Sequence, residues 1–217
     1  MKVTINIPES LSEITLLQYQ KWLKINESNE DDNFLKQKMV EIFCNIPLNE
    51  VLSIKANDIN NIVEDINTIF LLEPKFKDRF IYNGVEFGFI PKLDDMSFGE
   101  YIDLDTYLPD WQQMHKAINV LYRPIKYSKK EKYLIEEYES ADKYDMKNVT
   151  LDIVFGSLVF FWNLKKELLN HILKYLANQE EVNLPHQKLD LMKNGLGISQ
   201  YMDWHKVMSG DLMKSLI

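Results

Sequence analysis

Six carboxylates, Asp94, Asp95, Glu100, Asp103, Asp105 and Asp110, lie in one stretch with no basic residue between Lys92 and Lys116. Carboxylates grouped in this way could ligate a divalent cation, but their order lacks the D-x-D-x-D-G spacing of a calcium loop. A pair of them could serve hydrolysis as acid and base, although two carboxylates in one segment occur in almost any acidic protein. Near helix starts they would instead cap free amides and oppose the positive end of the helix dipole. The structural use is preferred. A partner's basic surface and a metal site stay open as alternatives.

Other chemistry-bearing residues form no recognisable set. His115, His171, His186 and His205 stand in neither H-E-x-x-H nor H-x-x-x-H spacing. Cys44 is the single cysteine and sits in the apolar run MVEIFCNI, which suits a buried thiol acting as a small hydrophobe. No G-x-S-x-G, G-x-G-x-x-G or G-K-[ST] occurs. Gly156-Ser157 is read as a small pair that permits close helix packing. No catalytic residue, cofactor or metal is assigned.

Charge narrows the partners. The net charge is −8, and residues 61–125 carry 6 basic against 11 acidic side chains. Only Arg79 and Arg123 are arginines. A phosphate backbone needs clustered Lys and Arg, so direct nucleic-acid binding is not expected. The longest apolar block, Leu151 to Leu164, is shorter than the roughly 20 residues of a membrane-spanning helix. The N-terminus lacks a hydrophobic signal core, which points to a soluble protein made inside a cell.

The elements that must position these residues can be read from period and punctuation. Val3, Ile5 and Ile7 alternate like a strand closed by Pro8, and Ser10 or Ser12 could cap the helix that follows, to about Glu27. A second helix is expected at Phe34–Phe43, a short one near Leu48–Ser53, and a third capped by Asn57 and Asp58 with the stripe Ile59, Ile62, Val63, Ile66, Ile69 and Phe70. Asn83-Gly84 between apolar runs predicts a hairpin over about 76–90. Ser97 and Glu100 have capping-box spacing at the head of a helix with Tyr101, Leu104 and Leu108 on one side. Asp110 can cap a helix over Trp111–Tyr122, stopped by Pro124. Residues 126–140 read as a charged surface helix, and a long helix is expected from Asn148 or Thr150 to about Asn178.

The run from Phe87 through Pro124 carries Phe87, Phe89, Pro91 and Leu93, then Ser97-Phe98-Gly99-Glu100-Tyr101-Ile102-Asp103-Leu104, then Leu121-Tyr122-Arg123-Pro124. It resembles a segment of small structural or assembly proteins of tailed bacteriophages, the crAss-like phages of gut bacteria among them. The likeness covers about a fifth of the chain. It implies a non-enzymatic virion-associated structural or cargo protein, held in the particle by protein contacts and in the cargo form ejected with the genome. A tail-assembly chaperone that leaves before maturation is one alternative. A small metal-dependent hydrolase using residues 94–110 is another. The implied partners are portal, tail or capsid components, and the implied location is the virion after synthesis in the host cytoplasm.

The resulting expectation is a mainly α fold. A helical domain, 1–178, carries one small antiparallel β-hairpin, with the N-terminal strand as a candidate third strand, and 179–217 forms an amphipathic tail. Helix 151–164 is apolar on all sides, so a cover is required. Phe155, Phe160, Phe161 and Trp162, together with Trp204 and Met208 of the tail, are the expected partner-binding residues, with self-association as one outcome. Arg123 is expected to pair with a carboxylate or a helix end.

Overall fold

The computed structural model describes residues 5–161. The chain divides into two units, Met1–Ser157 and Leu158–Ile217, and the second is described only over 158–161. The expected boundary at 178/179 lies outside the described residues.

The first half is helical, for local reasons. Thr15 caps α1 (Leu16–Ser28) in a reciprocal box with Gln18, the role expected of Ser10 or Ser12. Asp31 caps α2 (Asp32–Phe43) through the amide of Phe34. Pro47 precedes the single turn α3 (Leu48–Val51). Helix α4 (Ala56–Phe70) begins after Lys55, so Asn57 and Asp58 lie inside its first turn and do not cap it. Its predicted stripe is buried at Ile59, Ile62, Val63, Ile66 and Ile69. These helices close around Tyr19, whose ring meets Phe70, Trp111 and Phe155 at centroid distances of 5.7, 5.1 and 5.4 Å.

Beyond Pro74 the backbone turns to strands. β1 (Arg79–Tyr82) and β2 (Val85–Phe89) form the predicted hairpin, with Asn83 and Gly84 at φ 50° and 78°. Both central residues take positive φ, the twist a two-residue hairpin needs. Ser97 and Glu100 form the predicted capping box at the head of α5 (Phe98–Tyr107). Asp110 caps a 3-10 turn at Trp111–Gln113 that leads into α6 (Met114–Leu121), shorter than the expected helix. A further helix, α7, runs through 151–161. Leu16 and Leu17 donate amides to Val149 and Lys147, and Leu151 donates to Ile14, tying its start to that of α1.

The expected mainly α fold with a single hairpin is not what forms. Tyr122, directly after α6, opens β3 (Tyr122–Lys129), which is followed by β4 (Lys132–Ile135). The described residues thus hold a four-stranded antiparallel sheet in the order β1-β2-β3-β4, and the fold mixes helix and sheet. The charged helix expected over 126–140 is absent. Lys and Glu are good helix formers, but tertiary context overrides propensity, and here pairing prevails: β3 joins β2 through Phe87↔Pro124 and Phe89↔Tyr122, and Lys130, at φ 57°, turns the chain back. Pro124 does not end a helix. It sits in β3 beyond the last β3–β4 pair, Ile125↔Ile135, beside an irregularity in register, where a missing amide is tolerated. Ile5 to Ile7 join no strand, and Val3 lies outside the described residues.

One sheet face carries Phe80, Phe87, Phe89 and Tyr122, packed edge to face or stacked at 5.0–5.8 Å. Tyr122 is fully buried, and its hydroxyl donates to the Lys77 carbonyl at 2.7 Å. Buried Asn119 of α6 donates to the carbonyls of Ala141 and Tyr144, holding the loop after β4 on that helix.

Candidate functional site

The other sheet face and the segment leading into α5 enclose an open groove of about 1090 Å3. One wall is β4 with its continuation, to which Tyr133, Ile135 and Tyr138 contribute side chains. The other is Ile90 to Glu100. Antiparallel alternation places Arg79, Gly88, Arg123 and Tyr133 on this face, opposite the aromatic core.

At its base Arg123 Nη2 donates to Glu100 Oε1 at 2.6 Å, and both side chains are about nine-tenths buried or more. Glu100 Oε2 simultaneously accepts from the Ser97 amide at 2.7 Å. One carboxylate therefore caps a helix and neutralises an arginine. Arg123 so finds the carboxylate partner its isolation in the sequence called for. Its Nε is buried with no hydrogen-bond partner among the described residues. The Tyr138 ring lies 5.8 Å from the guanidinium, and its hydroxyl donates to Asp103, three residues after Glu100 and on the same side of α5. Burial, followed by the Asp103 carboxylate, pushes the Tyr138 pKa up.

Tyr133 closes the groove toward β1. Its hydroxyl donates to the Phe89 carbonyl at 2.8 Å, and Arg79 stacks on its ring at 4.4 Å. Arg79 also donates to Ser128 and to the Glu131 carbonyl, so the β3–β4 turn is fastened to β1. Burial, with Asp78 adding to it, pushes the Tyr133 pKa up to about 12.

Four of the six carboxylates of the acidic segment are dispersed into such tasks, while Asp105 is exposed and the side chain of Asp94 lies outside what is described. Glu100 and Asp103 are used as above, Asp110 caps Gln112, and Asp95 faces Lys92 at 3.6 Å. No group of three or more His, Cys, Asp or Glu among the described residues could hold a metal ion. Cys44 is buried, which pushes its thiol up to about 11. Gly156 meets the backbone of Lys75 and Phe76 closely, so the small pair admits a non-helical segment and not the second helix expected there. His171, His186 and His205 lie outside the described residues.

Of the expected partner-binding residues, Phe155 is a core residue, buried against Tyr19 and Trp111. Phe160 and Phe161 are half-buried and meet edge to face at 5.8 Å. Trp162, Trp204 and Met208 lie outside the described residues. Helix α5 buries Leu104 and Glu100 and turns Tyr101 outward with Phe98 and Ile102, against the grouping of Tyr101 with Leu104. Phe98 is 77% exposed. The wall residues of β4 were not identified from sequence. The available signal is the alternation of Tyr133 and Ile135, which stand across from Ser128 and Ile125, hidden among lysines and glutamates.

Scans against protein-family models, curated proteins and solved structures return no match.

Proposed function

We propose that this chain is a non-enzymatic assembly protein that works through protein contacts. The observation that carries this reading is the groove beside β4: an edge strand with an apolar wall, over a base whose charges already neutralise each other. An edge strand presents unpaired backbone donors and acceptors and is a ready template for another chain. The outward residues of α5, Phe98, Tyr101 and Ile102, add a second apolar surface of the same kind. The hydrolase alternative loses support, because four of its six carboxylates, Asp95, Glu100, Asp103 and Asp110, are committed to caps and pairs.

The setting rests on the likeness of residues 87–124 to tailed-phage structural proteins. On that basis the chain is a virion-associated structural or cargo protein contacting portal, tail or capsid components, made in the host cytoplasm. Mass spectrometry of purified particles and of the host lysate tests this. Recovery in particles at a constant ratio to the portal is expected. Recovery from the lysate alone, bound to tail components, would replace it with the assembly-chaperone reading. Recovery without any phage protein would overturn both.

A further inference from the structure

We propose that β4 pairs edge to edge and antiparallel with β4 of a second copy of this chain. The inference rests on the protein-contact reading of the groove and names its occupant. Among the described residues β4 has no strand on its outer side. Lys132 pairs with Lys129 across the turn, and the Glu136 amide turns inward to the Pro124 carbonyl at 2.9 Å. Backbone groups alternate along a strand, so those of Tyr133 and Ile135 point outward, available to a neighbour.

The side chains then select the neighbour. From Lys132 to Glu137 the sequence is Lys-Tyr-Leu-Ile-Glu-Glu, basic at one end, apolar in the middle and acidic at the other. Reversed, this pattern is its own complement. With Leu134 opposite Leu134 of the second copy on the two-fold axis, Lys132 stands opposite Glu136, and Tyr133 opposite Ile135. The outward backbone groups of Tyr133 and Ile135 then meet each other. A one-residue slip would set the two sheet faces on opposite sides, and a two-residue slip loses the Lys132–Glu136 match. Glu131 and Glu137 fall opposite each other just outside, which ends the pairing at the strand. Glu136 is already held in place by Lys143 and Tyr144, at 2.9 and 2.6 Å.

A second observation agrees. Tyr127 and Leu134 are register partners, 57% and 63% exposed, on the sheet face away from Arg123. The two-fold axis at Leu134 brings this apolar pair against the same pair of the second copy. The interface is isologous, so it closes at two copies without building a fibre.

The test uses the full chain. Residues in a pair without mutual hydrogen bonds have Cα atoms ~4.5 Å apart, within reach of a disulfide. Leu134→Cys is therefore expected to form a disulfide-linked dimer under mild oxidation, while Ile81→Cys, on the opposite edge, stays monomeric. Light scattering over a concentration series is expected to show monomer passing to dimer. Lys132→Glu should shift it to monomer, and adding Glu136→Lys should restore dimer. A wild-type chain that is monomeric throughout, or a dimer that Leu134→Cys does not link, would overturn the proposal. A chain monomeric alone but recovered in particles would remove the second copy as occupant and leave the protein-contact reading standing.

Discussion

The Tyr133 ring of β4 lies over Gly88 of β2, crossing β3 to do so. A Cβ built on Gly88 would stand 2.8 Å from Tyr133 Cδ2 and closer still to Cε2. Gly88 is thus required by a close approach and not by its backbone angles. Gly88→Ala must displace the ring, and with it the hydroxyl bond to Phe89 and the Arg79 stack. The expected cost is about 1–3 kcal/mol, the range for overpacking a filled site, read by urea denaturation. In a Tyr133→Ala background the same change should cost little, since the ring is gone. Equal costs in both backgrounds would show that the contact is not the cause.

The Glu100–Arg123 pair joins the cap of α5 to the middle of the sheet. Glu100→Ala removes one member of a buried pair and leaves the guanidinium without its counter-charge, a loss of about 3–5 kcal/mol. Arg123→Lys keeps the charge but loses the planar fork, so a smaller fall in melting temperature is expected. An unchanged melting temperature for Arg123→Lys would show that any cation suffices at this position.

Legibility from sequence followed how local each signal was. The Asn83-Gly84 turn and the Ser97–Glu100 box are complete within four residues, and both form as read. The stripe of α4 is likewise local. β3 and β4 are different, because Lys129, Lys130, Glu131 and Lys132 carry no turn signature and are good helix formers taken singly. Their strand state depends on β2, more than thirty residues earlier, and on Tyr133 finding the gap above Gly88. The groove was illegible for the same reason, since its two walls meet only once that pairing exists. Arg123 stands out in the sequence as one of two arginines, while nothing local to Glu100 marks it as the partner of Arg123.

His115 of α6 gives a prediction in pH. It is half-buried, and its Nδ1 is buried without a hydrogen-bond partner among the described residues. Burial lowers its pKa from the ordinary 6.5, and nearby Lys147 and Lys116 lower it further, against smaller opposing effects of Asp145 and Asp142. The charged imidazolium is therefore disfavoured in the folded chain relative to the unfolded one. Below 6.5 the unfolded chain binds the proton first, so stability is complete above that pH. It declines as pH falls toward the lower folded value, where the decline ends. Carboxylates titrate over part of the same range, but they act alike in wild type and in His115→Gln. The difference in unfolding free energy between the two proteins should hence be constant above neutrality and change below it, with wild type losing more on acidification. A difference that stays flat as the pH is lowered through this window would show that His115 takes up its proton equally well in both states.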